Sequence, residues 1–354
     1  MVNRRKFLAG TAGMAAMSMV PPAFGWKHKK DFLKAVLLHP GQNMWGDWRA
    51  DGEPFIDGLV YAADHIRFDE AVWRKCVDHA AEKGLNAVVI DLGEWMQFPS
   101  HPELAVKGSW TAEAVRAELA RMRKLGLEPL PKLNFSAGHD SWLKEYHRMV
   151  GTSRYYEVCR DLIRDVAEIF DHPRYLHIGF DEEESKHQYT YAYVVVRLKE
   201  LWWHDLKFFT DTIEKNGMRP WMWSDYWWHH PDTIKRCPRD IVHSNWYYDE
   251  RCAGFDLATV ADKERNMLEL FEKLDKIGCD QIPCSSNWMS PFRTEHKIKN
   301  TNAIGGLYEF TRKIIGPNAF LGYMATAWGS CTQESLEINL ETIDQIAAAV
   351  GNNA

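Results

Sequence analysis

From residue 32 onward, short apolar runs rich in β-branched and aromatic residues alternate with longer stretches of helical period. Phe32 to His39 reads as a first strand. Residues 69–83 set Ala71, Val72, Cys76, Val77 and Ala80 at helical spacing, and Gly84 stops them. Leu85 to Asp91 is the second strand. Thr111 to Leu125 is a helix, opened by Thr111 with Glu113 and Glu118 and closed by Gly126. Leu127 to Phe135 is a third strand, although Pro129 and Pro131 each remove a ladder donor. Tyr155 to Phe170 is helical up to the stop Asp171-His172-Pro173. Tyr175 to Asp181 is a fourth strand, and Tyr191 to Lys215 a long helix ending at Asn216-Gly217. Pro220 to Ser224 and Asp240 to Trp246 are strands five and six. Asp262 to Ile277 is a helix that Gly278 ends, Asp280 to Ser285 a seventh strand, and Asn302 to Ile314 a helix interrupted by Gly305-Gly306. Phe320 to Thr326 is the eighth strand, and Glu334 to Val350 the closing helix.

Strands that alternate with helices imply a parallel sheet. Eight of them in a chain of 354 residues predict an α/β fold of the closed (β/α)8 TIM-barrel kind, one domain over residues 26–354. A doubly wound nucleotide-binding sheet lacks its key feature here. No GxGxxG follows the first strand and no Walker sequence occurs.

Residues 1–25 follow another pattern. Asn3-Arg4-Arg5-Lys6-Phe7-Leu8 resembles the twin-arginine export signal. A mildly apolar stretch from Leu8 to Val20 follows, too short and too rich in Gly, Ala and Ser for a membrane span. Ala23-Phe24-Gly25 offers small residues to a signal peptidase, so Trp26 is the expected mature start. No Cys stands there, so no lipoprotein anchor is expected. These features predict a periplasmic or secreted protein.

Composition narrows the partners. The net charge of −6 becomes more negative once Arg4, Arg5 and Lys6 are removed, which argues against nucleic acid or an anionic membrane surface. Sixteen Trp suit flat, partly apolar ligands such as sugar rings. The seven Cys are 76, 159, 237, 252, 279, 284 and 331. They form no CxxC pair, and no His-x-His lies on strand one, so no metal or other cofactor is expected. Pairing of Cys237 with Cys252, or of Cys279 with Cys284, stays open.

In a barrel of this kind the C-terminal strand ends build the active site. Those ends carry His39; Asp91 with Glu94-Trp95; Asn134 leading to Gly138-His139-Asp140; and Asp181 to Glu184. Next come Trp223-Ser224-Asp225, Asn245 to Asp249, Asn287-Trp288 and Trp328. Carboxylates among Trp and Tyr are what glycoside hydrolysis requires. One acid protonates the leaving oxygen, and a second anionic group stabilises the oxocarbenium-like transition state or supplies a nucleophile. Aromatic faces stack on the sugar and exclude water.

His177-Ile178-Gly179-Phe180-Asp181-Glu182 resembles the His-x-Gly-Gly-Asp-Glu motif of family 20 glycoside hydrolases, the β-N-acetylhexosaminidases. Residues 131–139 resemble that family's third-strand segment ending in Pro-Gly-His. Trp223-Ser224-Asp225 and Tyr247-Tyr248-Asp249 resemble its Trp-x-acid and Tyr-x-Asp segments, and Trp328 its eighth-strand Trp. The resemblance implies a retaining mechanism in which the substrate's 2-acetamido oxygen is the nucleophile. Asp181 would orient that group, Glu182 would be the general acid and then base, and Tyr247 would hold the acetamido oxygen. Trp223, Trp246 and Trp328 would wall the pocket. Asp91, His139 and Asp249 would bind hydroxyls or support the acids, with His177, Asp225 and Trp288 completing the substrate-binding set. The departures are Phe180 for a glycine, Leu37-Leu38-His39-Pro40 in place of a first-strand Asp-x-x-Arg, and Gly329-Ser330 where a second acid is usual. They imply an altered choice of sugar. The alternatives are a glycosidase of other specificity using a protein carboxylate as nucleophile, and a non-catalytic carbohydrate-binding barrel. Glu183 and Glu184 are expected to cap a helix or face solvent.

Overall fold

Eight parallel strands make one sheet in the order β6-β5-β4-β3-β2-β1-β8-β7. Its two ends meet through parallel bridges of His243 with Gln281 and of Trp246 with Cys284, which closes the barrel. The computed structural model describes residues 31–49, 60–249, 254, 257, 260–288 and 302–351. The export segment and Cys252 lie outside the described residues. The strands are β1 (Leu33–His39), β2 (Ala87–Asp91), β3 (Glu128–Lys132), β4 (Tyr175–His177), β5 (Arg219–Trp223), β6 (Val242–Ser244), β7 (Cys284–Ser286) and β8 (Gly322–Ser330). The helices are α1 (Glu70–Glu82), α2 (Ala112–Lys124), α3 (Ser153–Ile169), α4 (Glu200–Lys215), α5 (Tyr226–His229), α6 (Asp262–Lys276), α7 (Ala303–Ile314) and α8 (Leu336–Gly351).

Period-2 alternation sorts each strand into two faces. Leu33, Ala35 and Leu37 of β1 join Ala87, Val89, Leu130, Trp221, Val242 and Met324 inside the barrel. Val36, Leu38, Val88 and Ile90 face the helices. Each fully buried side chain of this size contributes about 1.5–3 kcal/mol. The helices open on side-chain caps where the sequence supplies them. Asp69 accepts from the Ala71 and Val72 amides, Thr111 from Ala114, and Thr152 from Tyr155.

Several boundaries differ from the sequence reading. Helix α4 starts at Glu200 rather than Tyr191, because Lys199 has a left-handed φ of 53° and Arg197 is drawn into a buried ion pair with Asp205 at 2.7 Å. Strand β3 accommodates Pro129 and Pro131 by pairing fully with β2 while meeting β4 at one register position, Lys132 opposite His177. On α1 the buried stripe includes Trp73 and leaves Ala71 exposed. Glu118 is no helix-start acid. It is buried and accepts a hydrogen bond from the Trp73 indole at 2.8 Å. Between β5 and β6 only the single turn α5 and a short turn over Pro231–Arg236 stand in place of a long helix.

Candidate active site

The register stacks polar side chains at the C-terminal end of the barrel interior. Asp91 pairs with Lys132 across β2 and β3, and Lys132 with His177 across β3 and β4. The Lys132 ammonium donates to Asp91, both side chains being fully buried. His39 Nε2 lies 3.6 Å from the same carboxylate. Burial, reinforced by the Lys132 charge, holds the imidazoles of His39 and His177 well below their usual range, so both are neutral. Burial also raises the Asp91 carboxyl against the pull of Lys132. Asp91 and His177 therefore form the floor beneath the site. Both side chains are fully buried, so neither is exposed at the mouth of the barrel in this structure. His177 instead accepts the Gly179 amide on Nδ1 at 3.0 Å and lies against Trp223, ring centres 4.6 Å apart.

Above this floor the chain leaves β4 in a bend. Gly179, Phe180 and Glu182 have φ values of 72°, 69° and 52°. For the two non-glycine residues this costs roughly 1–2 kcal/mol each, so neighbours must hold the bend. A Cβ on Gly179 would stand 2.0 Å from Asn134 Oδ1. The Ser136 hydroxyl donates to the Asp181 carbonyl, and the Glu182 amide donates to Asp225 Oδ2 at 2.8 Å. Phe180 turns outward into the helix layer, 5.8 Å from the Trp202 ring centre and 5.5 Å from that of Phe209. Its bulk lies behind the acids and not in the mouth.

The bend presents two carboxylates. Asn134 Nδ2 donates to Asp181 Oδ1 at 3.3 Å, and His139 Nε2 is 3.7 Å from Asp181 Oδ2. The same His139 nitrogen is 2.9 Å from Glu182 Oε2, with His187 Nδ1 at 3.4 Å. The Asp181 side chain is 12% exposed and that of Glu182 30%, so Glu182 is the carboxylate open to a ligand. Burial alone would lower the His139 imidazole, but the charges of Asp181 and Glu182 outweigh it and raise His139 to about 9. Burial would raise Glu182, yet the His139 bond and the nearby His187 and Lys186 hold it below the usual glutamate value. At neutral pH the two share one proton as an imidazolium–carboxylate pair. Asp225 is different. Burial first, then the charge of Asp181, pushes it well above the usual carboxylate range, against the opposing Glu182 amide. Glu183 is buried against the Arg197 guanidinium at 2.8 Å and does not face solvent. Glu184 is half-exposed and meets His229 Nε2 at 2.8 Å. Glu94 lies outside the site, where its carboxylate accepts the Gln42 and Asn43 amides at 2.8 and 3.0 Å.

Aromatic rings make the wall. Trp328, with a left-handed φ of 55°, lies between His39 and Trp223, ring centres 5.1 and 5.9 Å away. Its indole donates to the Tyr248 hydroxyl at 3.1 Å. Tyr248 stacks on Trp246 at 5.1 Å, and Trp246 meets Trp228 edge-on at 4.4 Å. Burial, together with the charges of Glu182 and Asp181, holds the Tyr248 phenol well above its usual range. Tyr247 points the other way. Its ring belongs to the outer core, and its hydroxyl donates to Glu264 on α6 at 3.3 Å. The phenol that feels the charges of Asp181 and Glu182 is that of Tyr248, one residue on. Asp249 is half-buried, and Trp288 stands 40% exposed at the end of β7. Sequence reasoning missed Lys132, Ser136, His187 and Tyr248. Of these, only Lys132 carried a signal, as a charge at an inward position of an apolar strand.

No protein-family model and no curated protein sequence matches the chain. Solved structures do. The N-acetyl-β-hexosaminidase of Streptomyces plicatus aligns at 13% identity with a TM-score of 0.55, over 88% of this chain and 63% of that one. The family 20 exo-β-N-acetylglucosaminidase of Vibrio harveyi aligns at 14% identity and 0.54, over 89% of this chain and 54% of that one. A further β-N-acetylhexosaminidase aligns at 14% identity and 0.60, over 91% and 73%. The chain thus spans less than two thirds of the length of the first two. What it shares with these enzymes is the fold, a (β/α)8 barrel of the kind seen in family 20 glycoside hydrolases.

Proposed function

We propose that this chain is a retaining, hexosaminidase-like glycoside hydrolase in which Glu182 is the general acid and base and Asp181 orients a 2-acetamido group. The observation that carries the reading is the His139–Glu182 contact of 2.9 Å beside Asp181, under the wall of Trp223, Trp246, Tyr248 and Trp328. The Vibrio harveyi enzyme whose barrel it matches was solved with N-acetylglucosamine, which supports a carbohydrate as ligand.

The chemistry follows from the proton inventory. A sugar entering the mouth lays its apolar face on the indoles and excludes water. Asp181 accepts the acetamide N–H and turns the acetamide oxygen toward the anomeric carbon. Glu182 takes the proton of the His139 imidazolium and passes it to the glycosidic oxygen. The glycosidic C–O bond breaks as the acetamide oxygen forms its own bond to carbon, giving an oxazolinium ion. Glu182, again a carboxylate, then takes a proton from the water that opens this ring. In this reading Tyr248 donates to the acetamide oxygen as charge develops.

A panel of nitrophenyl glycosides with and without the 2-acetamido group tests the reading. Turnover confined to the 2-acetamido members, with strong inhibition by a thiazoline analogue, is the expected result. Turnover indifferent to that group, with no thiazoline inhibition, would favour a protein nucleophile. The proposal includes export by the twin-arginine route. Replacing Arg4 and Arg5 by Lys should leave unprocessed protein in the cytoplasm, whereas normal processing to a Trp26 start would contradict it.

A further inference from the structure

We infer that Cys237, His243 and Cys279, with the carbonyl oxygen of Pro238, form a buried structural site for a thiophilic divalent cation of the zinc class. The three side chains come from three segments: the connection entering β6, the outer face of β6, and the connection from α6 to β7. Their donor atoms all lie within 4.8 Å of one another, and they are the one such cluster of three among the described residues.

The S···S and S···N separations match edges of a tetrahedron, while the Pro238 oxygen sits at hydrogen-bond distance from the ring nitrogen and would move outward to ligate. The two sulfurs are 3.9 Å apart, and Cys237 Sγ is 3.5 Å from His243 Nε2. The Pro238 oxygen is 2.8 Å from that nitrogen, 3.7 Å from Cys279 Sγ and 3.9 Å from Cys237 Sγ. Metal–sulfur bonds of about 2.3 Å and a metal–nitrogen bond of about 2.0 Å at tetrahedral angles give edges of about 3.8 Å for S···S and about 3.5 Å for S···N. A disulfide needs its sulfurs at about 2.05 Å, far inside the separation here. Two thiolates and one imidazole give a dication a neutral shell, which lowers the cost of burying the charge. Soft sulfur donors select zinc-like ions over magnesium or calcium.

Burial and the outer shell agree with a closed site. Cys237 is 5% exposed, and His243 and Cys279 are fully buried. The other ring nitrogen of His243 is 3.3 Å from the Ser224 hydroxyl, the kind of partner that fixes a ligating imidazole. The location supplies the purpose. Between β5 and β6 the outer layer has one helical turn and a short turn where the other units have long helices. An ion there ties that thin wall to β6 and to the start of β7. Ser224 directly precedes Asp225, whose carboxylate holds the Glu182 amide, so the staple also stiffens the base of the active site.

Cobalt(II) titration of the chelator-treated, reduced full-length protein tests the site. The expected result is one equivalent bound, with a thiolate-to-cobalt charge-transfer band that one equivalent of zinc(II) removes, and a melting temperature raised by about 5 °C with zinc. Cys237→Ser and Cys279→Ala, checked for native circular dichroism, should each lose the band. Absence of the band in the unsubstituted protein would overturn the inference whatever the variants do. So would its survival in a folded Cys279→Ala protein, or a Cys237–Cys279 disulfide found by peptide mapping of protein purified without reductant.

Discussion

His139 Nε2 lies 2.9 Å from Glu182 Oε2 and joins the loop after β3 to the bend after β4. The contact fixes the protonation of the site. With His139 raised to about 9, the pair carries one proton across the neutral range. Activity should therefore fall as pH rises through about 9, when that proton is lost. It should fall on the acid side only below the usual glutamate range, because Glu182 is held down. The stability sign is the same on the alkaline side. A histidine raised from 6.5 contributes stability that is fully present below 6.5 and is lost as pH rises through about 9. His139→Phe should remove the alkaline limb near 9 from the kcat profile. An unchanged limb in that variant would assign it to another group.

Tyr247 and Tyr248 are adjacent and point to opposite faces, which makes a paired test. Tyr248→Phe removes the hydroxyl next to Trp328 and should lower kcat by about 10²-fold on a 2-acetamido glycoside. Tyr247→Phe removes the hydroxyl that bonds Glu264 and should leave kcat within about twofold. The reverse ranking would restore the role to Tyr247.

Gly179→Ala should damage the site through Asn134. The new methyl group would enter the space of the Asn134 amide, which donates to Asp181, in a backbone already left-handed. The expected cost is about 1–2 kcal/mol from the backbone alone, with kcat falling more than KM rises. Denaturant melts and steady-state kinetics read the two effects separately.

Lys132→Met should strand Asp91 in the barrel floor. Removing one partner of a buried ion pair costs about 3–5 kcal/mol, read as a lower urea midpoint. The double variant Asp91→Asn/Lys132→Met should recover part of that loss. Additive losses would mean that the two groups do not act as a pair.

The barrel was legible in the sequence because inward and outward positions alternate cleanly on β1 and β2, and because acids and indoles collect at the strand ends. Contacts set by register were not. Asp91 meets Lys132 only once β2 and β3 are aligned, and His139 meets Glu182 only once two loops converge. Tyr247 against Tyr248 is a one-residue choice that reverses the face, and no periodicity over so short a strand decides it. Residues 191–199 have helical composition, but the buried Arg197–Asp205 pair holds them out of a helix, a tertiary effect that local propensity does not carry.

The central claim is that Glu182 moves the proton, and turnover by Glu182→Gln tests it most directly. The side chain keeps its size and can still accept from His139, but it cannot give or take a proton. On a 2-acetamido glycoside with a poor leaving group, kcat should fall by about 10²–10⁴-fold while N-acetylglucosamine binding, measured by calorimetry, changes little. Turnover by a folded Glu182→Gln protein within a few-fold of the parent would contradict the account.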